Sequence, residues 1–123
     1  MHVERHAVTV TTASDGTATG YTPTVTGAIL AVIYAKTDYT DGVDFTITTD
    51  VTAQNVWVDT NINASETVQP RTALHGTDGA ALLYAAGGTA VAGFVYAATE
   101  RVKIVIASGG ATKVGTFTVL VGG

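Results

Sequence analysis

"GAILAVIYAKTDYTDGVDFTITT", Gly27 to Thr49, holds two apolar runs separated by an acidic interval that contains a glycine. The second run alternates strictly. Val43, Phe45 and Ile47 fall on one side, and Asp44, Thr46 and Thr48 on the other, which is the period of a half-buried strand. The first run is apolar on both sides. Ile29 and Ile33 share one face, and Leu30, Val32 and Tyr34 share the other, so it reads as a central strand or one whose outer face is covered by a partner. In the interval, Asp38, Asp41 and Asp44 stand three apart around Gly42, with Asp50 further on. A helix–loop–helix calcium site needs ligands two apart, a Gly and a closing Glu, and this spacing does not supply them. The pattern reads instead as a hairpin whose tip is "DYTDG", with Asp41-Gly42 making the turn. Asp44 then decorates the exposed face, and Tyr39 is an exposed aromatic contact residue.

Working outward, the same alternation recurs at 7–12, where Val8 and Val10 oppose Thr9 and Thr11. It recurs at 101–107 through Val102, Ile104 and Ile106, and at 115–121 through Phe117, Val119 and Val121. Threonine, the commonest residue, is β-branched and suits a solvated strand face. Turn signals at 14–17, 40–42, 77–79, 86–88 and 108–110 carry Asp-Gly or Gly-Gly, which supply the positive φ that tight hairpins need. "TDGAALLYAAGG" (77–88) reads as one short helix, capped by Thr77 or Asp78 and closed by Gly87. About seven or eight strands at regular spacing predict a single all-β domain over 1–123, a two-sheet sandwich of the jelly-roll or immunoglobulin-like kind with that helix added.

Composition narrows the function classes. The 123 residues contain no cysteine, so disulfide frameworks, thiolate nucleophiles and Cys-ligated zinc are excluded. The formal net charge is −4 with six Lys and Arg, scattered without a basic face, so nucleic acid is not an expected partner. Charged residues make up 13% of the chain, against about 25% in ordinary soluble domains. A surface so sparsely charged guards poorly against association, which predicts a homo-oligomer or cover by other subunits. A monomer with a threonine-rich surface is the alternative. The uncharged stretch 79–98 is long enough for a membrane helix, but Gly87-Gly88 breaks it in the middle. Two short elements flanking a glycine turn are expected there, and no membrane partner.

No catalytic or cofactor motif emerges. His2 and His6 share one strand face and His75 lies far along the chain. Without zinc spacing, solvated or hydrogen-bonded histidines are expected. Ser14, Ser65 and Ser108 each lie in a turn-like context with no nucleophile elbow, so the chain is not read as an enzyme and no cofactor is expected. The irregular stretch 55–76 holds the only Trp, Trp57, together with Arg71 and His75. Trp57 reads as core. Arg71, following Pro70 in a loop, reads as a contact residue because Arg is favoured as an interface anchor. The candidate interface residues are thus Tyr39, Asp41, Arg71 and His75 on loops, with Leu30, Val32 and Tyr34 on the outer face of strand 27–35.

The strings "TGAILAVIYAKTDYTDGVDFTIT", "VWVDTNINASETVQPR", "ALLYAAGGTAV" and "RVKIVIASGGATKVGTFTVLVGG" resemble small virion structural proteins of tailed bacteriophages, of the capsid decoration or cement type. The resemblance runs from about Val8 to the end, leaves "MHVERH" outside, and carries over no functional residue. It implies a protein made in the bacterial cytoplasm and located on the virion, where it binds the major capsid protein as a dimer or trimer and stabilises the head. Two other readings stand beside it. One is a tail or head–tail connector component, present in few copies. The other is a carbohydrate-binding sandwich presenting Tyr39, Trp57 and Tyr96.

Overall fold

The computed structural model describes residues 1–123 and is a sandwich of two antiparallel sheets. Ten strands follow in order: β1 (Val3–Thr11), β2 (Ala18–Tyr21), β3 (Val25–Lys36), β4 (Val43–Thr49), β5 (Asn55–Ile62), β6 (Glu66–Val68), β7 (Arg71–Ala73), β8 (Ala92–Glu100), β9 (Val102–Ala107) and β10 (Val114–Gly122). The larger sheet runs β1-β10-β3-β8-β7, with β6 also paired to β3, and the smaller runs β2-β9-β4-β5. The alternating runs read from the sequence are strands here, and β4 has the expected bounds. No helix forms.

The connections differ from the sequence reading in an instructive way. β3 and β4 lie in different sheets, so residues 37–42 form a crossing between layers and not a hairpin tip. The turns at 14–17 and 108–110 likewise carry the chain from one sheet to the other. These three crossings are stitched together at one end of the sandwich. Thr12 Oγ1 donates to the Gly110 carbonyl at 2.5 Å and accepts from Lys113 N–H. Gly109 N–H donates to Gly16 O, and Thr40 N–H to Gly109 O. Asp38 accepts from Val114 N–H at 2.6 Å, Asp41 pairs with Lys36 Nζ at 2.6 Å, and Asp44 accepts from Asn61 N–H at 3.1 Å. The acidic residues that looked like a cluster in the sequence therefore each serve a different partner.

Tyr39, expected at an exposed tip, is only 2% exposed. A crossing segment passes over the open end of the sandwich, and its aromatic residue plugs the space between the layers. The Tyr39 hydroxyl donates to Val10 O at 2.5 Å, and its ring packs on Phe45 and Tyr34, with centroids 6.4 and 6.1 Å away. A Cβ on Gly115 would collide with the Tyr39 ring, so that position must be glycine for the ring to enter. Phe45 is the hub. It meets Tyr34, Phe117 and Trp57 edge-on at 4.8, 4.9 and 5.2 Å. Tyr34 and Phe117 come from the larger sheet and Phe45 and Trp57 from the smaller, so the cluster is what joins the two layers. Trp57 belongs to the core, as read.

Val32 and Tyr34 are also core residues, contrary to the expectation that they face a partner. The cause is a β-bulge. β10 pairs Val121 with Ile29 but Leu120 with Ala31, leaving Leu30 as the extra residue. A bulge shifts every later side chain to the opposite face. Ile29, Val32 and Tyr34 consequently point into the core together, while Leu30 and Ile33 remain partly exposed on the outer side.

Burial pushes the phenol of Tyr34 up to about 12, with Asp41 adding to it, and burial followed by the neighbouring Tyr34 raises Tyr39 further still. Both are neutral across the physiological range. The Tyr34 hydroxyl has no hydrogen-bond partner, whereas that of Tyr39 does. Glu100, the sole buried acid, is held by N–H groups of Val51, Thr52 and Ala98 at 2.8, 2.9 and 3.0 Å and by the Thr52 hydroxyl at 2.9 Å. Burial raises its pKa, but these donors outweigh burial and hold it at about 2 against an ordinary 4.5.

Two predictions follow from these buried oxygens. Tyr39→Phe lowers stability by about 1 kcal/mol, since Val10 O loses its donor, while Tyr34→Phe is neutral or slightly stabilising because it removes a polar atom that has no partner; urea midpoints of the two variants distinguish them. Glu100→Gln lowers stability at neutral pH by about 1–3 kcal/mol, because an amide NH2 faces N–H donors. The folded carboxyl is depressed, so its contribution is complete above pH 4.5 and is lost as pH falls toward 2. Thermal melts between pH 7 and 2 therefore show the wild-type advantage over Glu100→Gln shrinking below pH 4.5.

Candidate functional site

Between β7 and β8 the chain leaves the sandwich as an arm, residues 74–91. Its sequence, "LHGTDGAALLYAAGGTAV", contains one acidic residue, Asp78, and no Lys or Arg. The backbone folds back on itself in a closed ring. Leu74 N–H donates to Val91 O, Val91 N–H to Leu82 O, and Leu82 N–H to Leu74 O, at 2.8, 2.8 and 2.9 Å. Two tight turns complete it. Gly79 N–H bonds Gly76 O, with Asp78 Oδ1 accepting from Ala80 N–H, and Gly88 N–H bonds Ala85 O. Gly87-Gly88 thus punctuates the uncharged stretch, as read, and no helix is long and apolar enough to cross a membrane.

The helix expected over 77–88 does not form, for a physical reason. The turn at Asp78-Gly79 uses its proposed cap, and Gly87-Gly88 begins the next turn. What is left between them is too short to nucleate a helix in water. Residues on either side of Leu82 and Leu83 offer pairing instead, through isolated bridges His75↔Ala81 and Leu83↔Ala90.

The arm's side chains serve the core of this chain very little. Leu74 lies across Gly93, where a Cβ would come within 2.7 Å of Leu74 Cδ2, and anchors the base. Beyond it Leu82, Leu83 and Tyr84 are 45, 44 and 76% exposed. Single exposed apolar residues are ordinary, but a contiguous uncharged run bounded by turns marks an interaction surface.

Of the residues singled out from the sequence, Arg71 and His75 fall at this arm. His75 is exposed near its base. Arg71 lies on β7, its guanidinium 4.3 Å from the centroid of the Phe94 ring and donating to Pro70 O at 2.7 Å. Asp41 is exposed but sits on the crossing between β3 and β4, Leu30 is on the outer face of the larger sheet, and Tyr39, Val32 and Tyr34 are interior. Leu82, Leu83 and Tyr84 were missed because their run was read as a short helix. The absence of any charge among them was the available signal.

A second group lies near the N-terminus. On the inner face of β1, Glu4 accepts from His6 Nε2 at 3.1 Å and lies 3.4 Å from His2 Nε2, which agrees with hydrogen-bonded histidines. A cavity of about 310 Å³ opens beside them, lined by His2, Glu4, Thr26, Val121 and Gly123. His75 is on the arm, so the three histidines do not gather, and no group of three His, Asp or Glu converges on a common point. Comparison with protein-family models, with curated proteins and with solved structures gave no match.

Because the arm's tip lies outside the core cluster, the triple substitution Leu82→Ser, Leu83→Ser, Tyr84→Ser is expected to leave the unfolding free energy within about 0.5 kcal/mol per site of wild type. Ile47→Ala in the core costs about 2–5 kcal/mol. Guanidinium denaturation monitored by Trp57 fluorescence measures both.

Proposed function

We propose that the chain is a non-catalytic structural subunit of a tailed-phage virion, which binds the outer surface of the head and stabilises it as a decoration or cement protein. The observation that carries this reading is the arm, an exposed apolar segment whose one charge is Asp78 and whose tip lies outside the core cluster. A subunit that keeps such a surface has a neighbour to cover it. The low charge of the chain and the resemblance of its strings to virion structural proteins point the same way. A rigid sandwich spans the joint between capsid subunits, and arms reaching to neighbours make each attachment multivalent. Because such a protein binds the assembled head and not its free parts, it stabilises assembly by mass action.

Of the other readings, the carbohydrate-binding one loses support. Tyr39 and Trp57 are buried and Tyr96 alone of its three aromatics is exposed, at 59%, so no aromatic platform is formed. A tail or connector component differs from a decoration protein in copy number. Purified protein added to matching heads that lack it is expected to co-sediment at saturating, lattice-like stoichiometry and to raise the temperature at which the heads release DNA. Binding of a few copies at one vertex would move the protein to the connector. No binding, or binding without any gain in head stability, would overturn the cement reading.

A further inference from the structure

Every free sheet edge but one is closed off. β6 and β7 are three residues each, with Pro70 between them. β2 is four residues, with Pro23 just beyond it. β5 is broken by two register shifts against β4 and by the positive φ of Asn61. Short strands, prolines and bulges are the ordinary means of keeping an edge from pairing. β1 has none of them. It runs nine residues without Pro, Gly or Lys and matches β10 residue for residue from Val3 to Thr11. No strand lies on its other side.

The hydrogen-bond pattern fixes which groups of β1 are free. Gly123 N–H donates to His2 O and Thr12 N–H to Lys113 O, at 3.0 and 2.8 Å. Both pairs continue the β1–β10 register, so the even-numbered residues of β1 direct their backbone groups to β10. In an antiparallel pair the alternate residues turn theirs the other way. Val3, Arg5, Ala7, Thr9 and Thr11 therefore point N–H and C=O out along the free edge, and all of them are exposed. The formal charges of the strand, Glu4 and Arg5, both fall in its first half.

We infer that this edge pairs antiparallel with the same edge of a second copy, about a two-fold axis at Ala7. Two copies of β1 satisfy each other's free groups when outward residues meet outward residues. With Ala7 opposite Ala7 of the second copy, Thr9 meets Arg5 and Thr11 meets Val3, each pair exchanging two hydrogen bonds. Every outward residue of both strands is then used. The same register keeps charge apart, because Arg5 meets Thr9 and Glu4 meets Val10. An axis at Arg5 would oppose the two arginines and leave Thr9 and Thr11 beyond the partner strand. An axis at His6 leaves Thr11 beyond it, and one at Val8 leaves Val3. A two-fold contact is self-complementary and closes at two copies, so the pairing joins the larger sheets into one and removes the open edge. This goes beyond the virion reading and does not rest on it.

Sedimentation velocity of the purified chain over a concentration series tests this without heads. Wild type is expected to reach twice the 12.5 kDa of one chain. Ala7→Pro removes an N–H that points out of the molecule and none that bonds β10, so it is expected to give single chains that still unfold cooperatively. Charge reports the register. Thr9→Lys sets a like charge opposite Arg5 of the other copy and is expected to weaken association roughly two- to tenfold, while Thr9→Glu tightens it by a similar factor. The chain has no cysteine, so an introduced thiol reports the axis. Ala7→Cys is expected to cross-link under mild oxidation, since Cα atoms of a bonded pair lie about 5.5 Å apart. Thr11→Cys, about 27 Å from its copy along the strands, is not. Three results would overturn the inference: a wild type that stays at single-chain mass throughout, association that survives Ala7→Pro, or cross-linking at Thr11→Cys in place of Ala7→Cys. A dimer that binds no heads would leave the edge pairing standing and remove the virion reading. Head binding by a strictly monomeric protein would do the reverse.

Discussion

The packing of Tyr39 against Phe45, between two sheets that share few direct chain connections of the hairpin kind, is the contact on which the rest of the structure depends. The chain changes layer between β1 and β2, β2 and β3, β3 and β4, β5 and β6, β8 and β9, and β9 and β10. Each change leaves backbone that cannot join a sheet ladder, and a sandwich built this way opens at its end unless the crossings are tied down. Tyr39 does this from within the crossing itself, through the bond of its hydroxyl to Val10 O and the contact of its ring with the aromatic hub. Burying each such side chain contributes about 1.5–3 kcal/mol, and each edge-on aromatic pair about 0.5–1.5 more. Against a total stability of about 5–15 kcal/mol, the Tyr34, Tyr39, Phe45, Trp57 and Phe117 group decides whether the two sheets stay together.

A core closed in this way leaves the arm free for other use. The arm is ordered by its own backbone ring and by Leu74 over Gly93, not by burial of its tip. Leu82, Leu83 and Tyr84 stay 44–76% exposed in the fold and would gain further from a neighbour, since removal of apolar surface from water is the main drive for association. The same logic covers the sparse charge of the chain. Few charges mean few groups to desolvate when surfaces meet, and like-charge repulsion between close-packed copies stays small. Threonine supplies the solvated strand faces without the cost of burying an ion.

Much of the fold was legible in the sequence because period-two alternation depends on burial alone. Val43, Phe45 and Ile47 had to face one way whatever the topology, and the strand at 43–49 is found there. What could not be read was the partner of each strand. Asp41-Gly42 makes a turn equally well within a sheet or between sheets, so the hairpin reading and the true crossing share one local signature, and Tyr39 changes from exposed to buried with that choice. The bulge at Leu30 is hidden for a similar reason: an extra residue in a doubly apolar run leaves no mark on a pattern with apolar residues on both sides. The arm lies at the other extreme. "AALLYAA" (80–86) has helix-forming side chains, but helix formation is cooperative and the glycine turns on each side leave too few residues for it. The surface proposed as a contact was thus the part least legible, because local propensity and local turn chemistry pointed to different structures there.

The central claim is that core and arm are energetically separate, the first closed by the aromatic cluster and the second held for a partner. Native-state hydrogen exchange of the free protein at low concentration tests this most directly. The account predicts that the bonded amides of Leu74, Leu82 and Val91 exchange through a local opening that denaturant barely affects. Amides in the middle of β3, β9 and β10 are predicted to exchange only through global unfolding. Arm amides protected to the same free energy and with the same denaturant dependence as those strands would contradict it, since the arm would then be part of the core.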